Sequence, residues 1–234
     1  MSVLVAMPCY TGIADTTGVG LFNLGKYFQA NGIANDLLTV SNSSLISKCR
    51  SRIANIFLHA TSFEYLLFID SDIGFQVDDV KKLFELKVEF AAAPYPLKSL
   101  TPRYNFEVTR KDGKLVANAT KTAIQIEHIG TGFMLIHRSV FEKVARHFPE
   151  LLFYPSPESS HRAFTEAELK NSIHFFETYI DPISRVQLSE DLAFCRRARS
   201  VGVDIWMRLD TTLTHSGHHQ FRGVDLAKEV ESLL

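Results

Sequence analysis

Along the first hundred residues, apolar positions follow two alternating rhythms. Short apolar runs, VLVAM (3–7), DLLTV (36–40), YLLFI (65–69) and EFAAAPYP (89–96), predict strands, YLLFI a buried one. Between them the apolar residues fall at helical spacing. One helix is expected near 17–31, a second over 44–60 with Leu45, Cys49, Ile53, Ile56 and Phe57 on one face, and a third around 77–87. Strands alternating with helices through short connections predict an α/β, doubly wound, mainly parallel sheet with helices on both faces. Ligands of such sheets sit beyond the carboxyl ends of the strands.

After residue 100 the rhythm changes. RYNFEVTRKDGKLVA (103–117) predicts a hairpin about Asp112–Gly113, and IQIEHIGTGFMLIHR (124–138) predicts two strands interrupted by Gly130 and Gly132, which together add a small antiparallel part. A helix near 139–147 follows. Residues 149–172, with Pro149, Pro155 and Pro157 in a polar run, read as a long mobile loop. SEDLAFCRRARSVG (189–202) predicts the last clear helix, with Ser189 as N-cap, Leu192, Cys195 and Ala198 on one face and Gly202 as its stop. No repeat or linker divides the chain, so a single domain over 1–234 is expected.

Composition narrows the functional classes. The 234 residues are 46% hydrophobic, enough to bury a proper core. Twenty-five basic residues balance twenty-six acidic ones, a formal charge of -1, which argues against a nucleic-acid footprint or a polybasic membrane anchor. Cys9, Cys49 and Cys195 are odd in number and far apart, with no CxxC, so neither a disulfide framework nor a thiolate zinc site is expected. The opening MSVLVAMPCY has no basic leader region, and its apolar run is too short for a membrane span. A cytoplasmic location without a membrane span is the expectation.

Chemistry concentrates at EYLLFIDSDIGF (64–75), where an apolar strand ends in Asp70-Ser71-Asp72. If the backbone stays extended, residues two apart project to one side, so both carboxylates face the ligand end of the sheet. Unless a cation lies between them, their repulsion raises one pKa. Oxygen ligands of this kind suit Mg²⁺ or Mn²⁺, and Mg²⁺ is commonly shared with substrate phosphates, which points to a nucleotide diphosphate. The plain alternative is that Asp70 caps the following turn and Asp72 is merely solvated.

Other segments bear on that choice. VAMPCYTG follows the first strand, SLISKCRSRIANIFL forms the second helix, and AAAPYPLK, GTGFMLIHRSVFEKV, SEDLAFCRRARSVG and LTHSG come later. Their order and spacing around LLFIDSDIGF resemble the GT-A glycosyltransferases, in particular small family-2-like enzymes of bacteria, phages and large viruses. The resemblance covers nearly the whole chain. It implies a nucleotide-binding half over 1–100, an acceptor-binding half over 101–234, and transfer of a sugar from a UDP-sugar to a glycan, glycoprotein or lipid hydroxyl.

By the same resemblance, Pro8, Cys9 and Tyr10 border the nucleotide base. Arg50 faces the nucleotide, although Ser51 stands where relatives carry asparagine, and Arg52 is the neighbouring candidate. Asp70 and Ser71 lie by the ribose or a metal-bound water. Asp72 binds Mn²⁺ or Mg²⁺, His215 adds a ligand, and Asp70 is counted with them. Asp191 is the general base, supported by Glu190, although acids in a first helical turn also complement the helix dipole by about 0.3–1 kcal/mol. Lys98 reaches sugar or phosphate, and Gly132, with Gly130, permits close approach of a ligand; the alternatives are a solvated lysine and a β-bulge. His218, His219 and Arg222 are further candidates near the diphosphate.

Rival classes fit less well. A haloacid-dehalogenase-type phosphatase wants Thr or Val where Gly74 stands, and a sugar nucleotidyltransferase wants a glycine-rich loop after the first strand. A non-catalytic nucleotide-sugar or glycan-binding module would keep Asp72 and His215 but has no need of Asp191.

Overall fold

The computed structural model describes residues 1–10, 12–41, 43–154, 172–217, 221–222 and 224. In chain order the first hundred residues form β1 (Ser2–Cys9), α1 (Asp15–Ala30), β2 (Ala34–Ser41), α2 (Ile46–Ala60), β3 (Tyr65–Ile69), β4 (Ile73–Gly74), α3 (Val77–Glu85) and β5 (Phe90–Ala92). Then come β6 (Phe106–Val108), β7 (Arg110–Lys111), β8 (Lys114–Leu115), β9 (Ala123–Ile129), β10 (Phe133–His137) and α4 (Arg138–His147). The remainder supplies β11 (Tyr179–Ile180), β12 (Gln187–Leu188), α5 (Glu190–Ser200), β13 (Ile205–Arg208), β14 (Thr214–His215) and β15 (Phe221–Arg222).

Eight strands make the central sheet in the order β2–β1–β3–β10–β5–β13–β9–β6. The β1–β2, β1–β3 and β5–β13 pairs are parallel, whereas β10 runs antiparallel between β3 and β5. The mainly parallel α/β sheet expected from the sequence is present, and the chain's second half is woven into it through β10, β13 and β9.

Period-two alternation of the strands creates two cores. Leu4 and Ala6 of β1, with Leu66 and Phe68 of β3, face Ile53 and Phe57 of α2, Phe141 of α4 and Phe194 of α5. Val3, Val5, Leu67 and Ile69 point the other way, onto Leu24 and Phe28 of α1 and Val80 and Leu83 of α3. In the first core, Phe194 stacks on Phe176 at 4.4 Å and on Phe141 at 5.4 Å between ring centroids, pinning α5 against the sheet.

The Asp112–Gly113 hairpin forms as expected: both residues have positive φ, 52° and 78°, and β7 pairs with β8 across them. Helix α2 begins at Ile46, so Leu45 is its N-cap residue and is 52% exposed rather than on the buried face. Of the expected loop over 149–172, Pro149–Leu151 is a 3-10 turn and residues 155–171 lie outside the described residues. No helix among the described residues is long and apolar enough to cross a membrane.

Candidate functional site

Parallel pairing of β1 with β3, in register from Val3↔Tyr65 to Ala6↔Phe68, sets their carboxyl ends side by side. Pro8, Cys9 and Tyr10 therefore meet Asp70, Ser71 and Asp72, and with Val40, Ser43, Ile46 and Cys49 they line a cleft of about 210 Å³. The cleft is where a parallel sheet is expected to receive a ligand. It gathers six of the residues singled out in the sequence.

Asp70 is fixed from two sides. Its backbone N–H donates to the Gly132 carbonyl at 2.9 Å, and its carboxylate accepts from Arg50 Nη1 and Nη2 at 2.8 and 3.0 Å. Arg50 was expected to face the nucleotide. Instead, its side chain is only 5% exposed and forms a bidentate pair beneath the cleft. Burial alone would lower the Arg50 pKa, but the Asp70 charge more than reverses this and the guanidinium stays charged. Asp70, counted with the metal ligands in the sequence, thus has both oxygens engaged by an arginine. Beside Arg50, Ser51 accepts from the Phe176 backbone N–H at 3.1 Å, and Asn55 exchanges bonds with the backbone of Ile173 at 2.8 and 2.9 Å. The buried polar face of α2 therefore holds the segment leading to α5.

A second, three-stranded sheet delivers His215. β4 pairs antiparallel with β14, His215 opposite Ile73, and the Ser216 N–H donates to the Asp72 carbonyl at 2.8 Å. His215 Nε2 then lies 3.3 Å from Asp72 Oδ2, while Nδ1 is 2.9 Å from the Pro96 carbonyl. A carbonyl only accepts, so Nδ1 carries a proton. In the neutral imidazole, Nε2 therefore turns a lone pair toward a carboxylate oxygen. That arrangement is favourable with a proton or another cation between the two. A carboxylate oxygen and an imidazole nitrogen 3.3 Å apart are donors of the kind that would hold a Mg²⁺ or Mn²⁺ ion. Among the described residues no three His, Cys, Asp or Glu side chains converge as a ready-made metal cage.

Lys98 Nζ also reaches Asp72 Oδ2, at 2.6 Å. Burial pushes the Asp72 carboxyl up, but hydrogen bonding with His215 and Lys98 and their charges outweigh it and hold the pKa at about 2.

Helix α5 brings the acidic pair. Glu190 Oε1 stands 3.8 Å from Arg50 Nε, within ion-pair range but too far for a hydrogen bond, so Arg50 lies between Asp70 and Glu190. Burial, then the neighbouring Asp191 charge, raises the Glu190 pKa above the ordinary glutamate value against the pull of Arg50. Asp191 Oδ1 accepts from the Leu192 N–H at 2.8 Å and from the Ser189 hydroxyl. Ser189 is the N-cap residue, but its side chain serves Asp191 and not the helix backbone.

Gly132 does not open onto ligand space. A Cβ there would lie 2.7 Å from the Tyr95 ring, so the close neighbour that the glycine admits is Tyr95. The Tyr95 hydroxyl accepts from the Gly132 N–H at 3.3 Å, and the ring meets His215 edge-on at 5.3 Å. Burial, then the Asp70 charge, pushes the Tyr95 pKa above the ordinary tyrosine value. Tyr95 is the site residue that the sequence reading gave no role; its signal was an aromatic at the end of a strand in a chain that also carries an unexplained Gly-Thr-Gly. Arg222 lines a separate groove of about 540 Å³ with Asp210, Thr212 and Thr214. His218 and His219 lie outside the described residues.

No family model matches the chain, and no curated protein does. Among solved structures, A197 from STIV is similar at 14% identity over 96% of this chain and 95% of that one, with a TM-score of 0.52. The two share a fold. Weaker likenesses are to a glycosyltransferase involved in the glycosylation of the major capsid of PBCV-1 (12% identity, 70% of this chain and 72% of that chain, TM-score 0.33) and to the inositol-1-phosphate CTP transferase from T. maritima (10% identity, 88% and 89%, TM-score 0.37).

Proposed function

We propose that this chain is a GT-A glycosyltransferase that moves a sugar from a UDP-sugar to a hydroxyl of a glycan, glycoprotein or lipid. The observation that carries this reading is the convergence of Pro8, Cys9 and Tyr10 with Asp70, Ser71 and Asp72 in one cleft, with His215 brought onto Asp72 by β4–β14 pairing. Pro8, Cys9 and Tyr10 would border the base, and Asp70, held rigid by Arg50, would meet the ribose. Asp72 and His215 would hold Mn²⁺ or Mg²⁺. When bound, that ion offsets charge developing on the departing diphosphate.

Asp191 is the proposed general base. An alcohol is a weak nucleophile, and a positioned carboxylate that takes its proton contributes roughly 10²–10⁴-fold. The Ser189 and Leu192 bonds both fall on Oδ1, which fixes the carboxylate while Oδ2 is the oxygen assigned to the acceptor hydroxyl. Glu190 supports the acceptor side.

The deciding experiment incubates the protein with Mn²⁺ and a panel of nucleotide sugars, and follows release of nucleoside diphosphate with and without acceptors. Turnover of one donor identifies it. Tight UDP binding with no turnover of any donor would favour a nucleotide-sugar-binding module, and absence of UDP binding would reject both readings.

A further inference from the structure

Two nitrogen-bearing side chains, of Lys98 and His215, share one oxygen of Asp72. Lys98 Nζ lies 2.6 Å from Oδ2 and His215 Nε2 lies 3.3 Å from the same atom. Lys98 follows Pro96 by two residues, and it is the Pro96 carbonyl that orients His215. The loop that prepares the imidazole as a ligand thus also places an ammonium on the carboxylate beside it.

The backbone on either side of Lys98 is tied: the Leu97 N–H donates to the Arg103 carbonyl and the Ser99 N–H to the Leu97 carbonyl, both at 2.7 Å. Its side chain, by contrast, is 44% exposed, so the stem is free to swing without moving the loop. An ammonium and a divalent ion on the same oxygen would stand only about 4 Å apart, where their repulsion in a partly buried site far exceeds RT. The two therefore compete for Asp72.

Building on the glycosyltransferase reading, we propose that Lys98 is an exchangeable counter-cation: it neutralises Asp72 until a divalent ion takes Asp72 and His215, and then moves to the diphosphate of the donor. A strongly hydrated point charge on a flexible four-carbon stem suits this better than an arginine fork, which prefers one fixed partner. The contrast is within the site itself, where Arg50 grips Asp70 with two bonds and is nearly sealed from solvent.

The test compares wild type, Lys98→Met and Lys98→Arg by titration with Mn²⁺ alone, read by loss of the free-Mn²⁺ spin-resonance signal, and with UDP in excess chelator, read by calorimetry. Lys98→Met should bind Mn²⁺ about fivefold tighter, because no ammonium competes for Asp72. The same variant should bind UDP more weakly without metal, since the cation that meets the diphosphate is gone. Lys98→Arg keeps a cation on Asp72 and should therefore bind Mn²⁺ no tighter than wild type. Unchanged or weaker Mn²⁺ binding in Lys98→Met overturns the exchange. Wild-type protein that binds no UDP under any condition rejects the nucleotide-sugar reading, whereas UDP binding with unaltered Mn²⁺ affinity in Lys98→Met rejects the exchange alone.

Discussion

Replacing Arg50 by methionine keeps most of the stem and removes the charge that holds Asp70. The pair consists of two short charged hydrogen bonds between side chains 5% and 22% exposed. Charged hydrogen bonds contribute about 1.5–3 kcal/mol each, and stranding one member of a buried pair costs about 3–5 kcal/mol. Because Asp70 retains some solvent, the lower end applies, and a loss of about 3 kcal/mol is expected. In urea, with a slope of about 3 kcal/mol/M, the unfolding midpoint should fall by about 1 M. Lysine at 50 keeps the charge but not the fork, so it should recover part of the loss. Combining Arg50→Met with Asp70→Asn should cost about 1–3 kcal/mol less than the sum of the single changes, since the second removes the charge that the first leaves stranded. Chemical denaturation of all four proteins at neutral pH measures the cycle. A midpoint change under about 0.3 M for Arg50→Met, or strict additivity in the cycle, would refute the idea that Asp70 depends on Arg50.

Other expectations follow from the same geometry. Asp72→Ala should abolish the metal dependence of UDP binding and weaken that binding about tenfold or more in calorimetry, as expected for loss of a shared ligand; undiminished, metal-dependent binding would remove Asp72 from the site. Glu190 has a raised folded pKa, so its ionised form costs stability at neutral pH; Glu190→Gln should raise the urea midpoint at pH 7, with the gain shrinking to nothing as pH falls below the unfolded glutamate value of about 4.3. A lower midpoint at pH 7 would contradict that sign. Asp191→Asn should leave UDP-sugar affinity near wild type and cut transfer by about 10²-fold or more, while transfer at the wild-type rate would reject Asp191 as base.

Much of the first half was legible because its strands carry period and composition strong enough to stand alone. VLVAM in β1 and YLLFI in β3, its half-buried Tyr65 apart, are buried, and Asp70 and Asp72 stand just past the end of β3, as their sequence position implies. Cleft residues Pro8, Cys9 and Tyr10 were singled out by the family resemblance of VAMPCYTG, and they lie at the carboxyl strand ends where ligands of such sheets gather. Arg50 was misplaced for an identifiable reason. Sequence spacing puts it on α2 but does not say which face meets β3, and a charged residue on a helix is normally solvated. The pairing of Asp70 with Arg50 is a tertiary fact. So is the neighbourhood of Gly132: a glycine admits any close approach, and only the fold decides that Tyr95, rather than a ligand, makes it. Insertion of β10 between β3 and β5 was equally hidden, since local pattern predicts a strand but not its neighbours.

Charge bookkeeping at the cleft gives a physical reason for a cation there. Asp70, Asp72, Glu190 and Asp191 contribute four carboxylates, and Arg50 and Lys98 are cations paired with them. Arg50 gives Nη1 and Nη2 to Asp70 and reaches Glu190 only at 3.8 Å, while Lys98 is held by Asp72. A nucleoside diphosphate would add further negative charge next to Asp72, and at partly buried separations of about 4 Å each like-charge contact costs about 4 kcal/mol at an effective dielectric of 20. Lys98 alone cannot satisfy both the carboxylate and the diphosphate. Screening by salt does little at that range, which is well inside the Debye length of about 8 Å. Under the proposed function, a bound cation would favour donor binding, and the Asp72–His215 pair is where two suitable donor atoms already face each other at 3.3 Å.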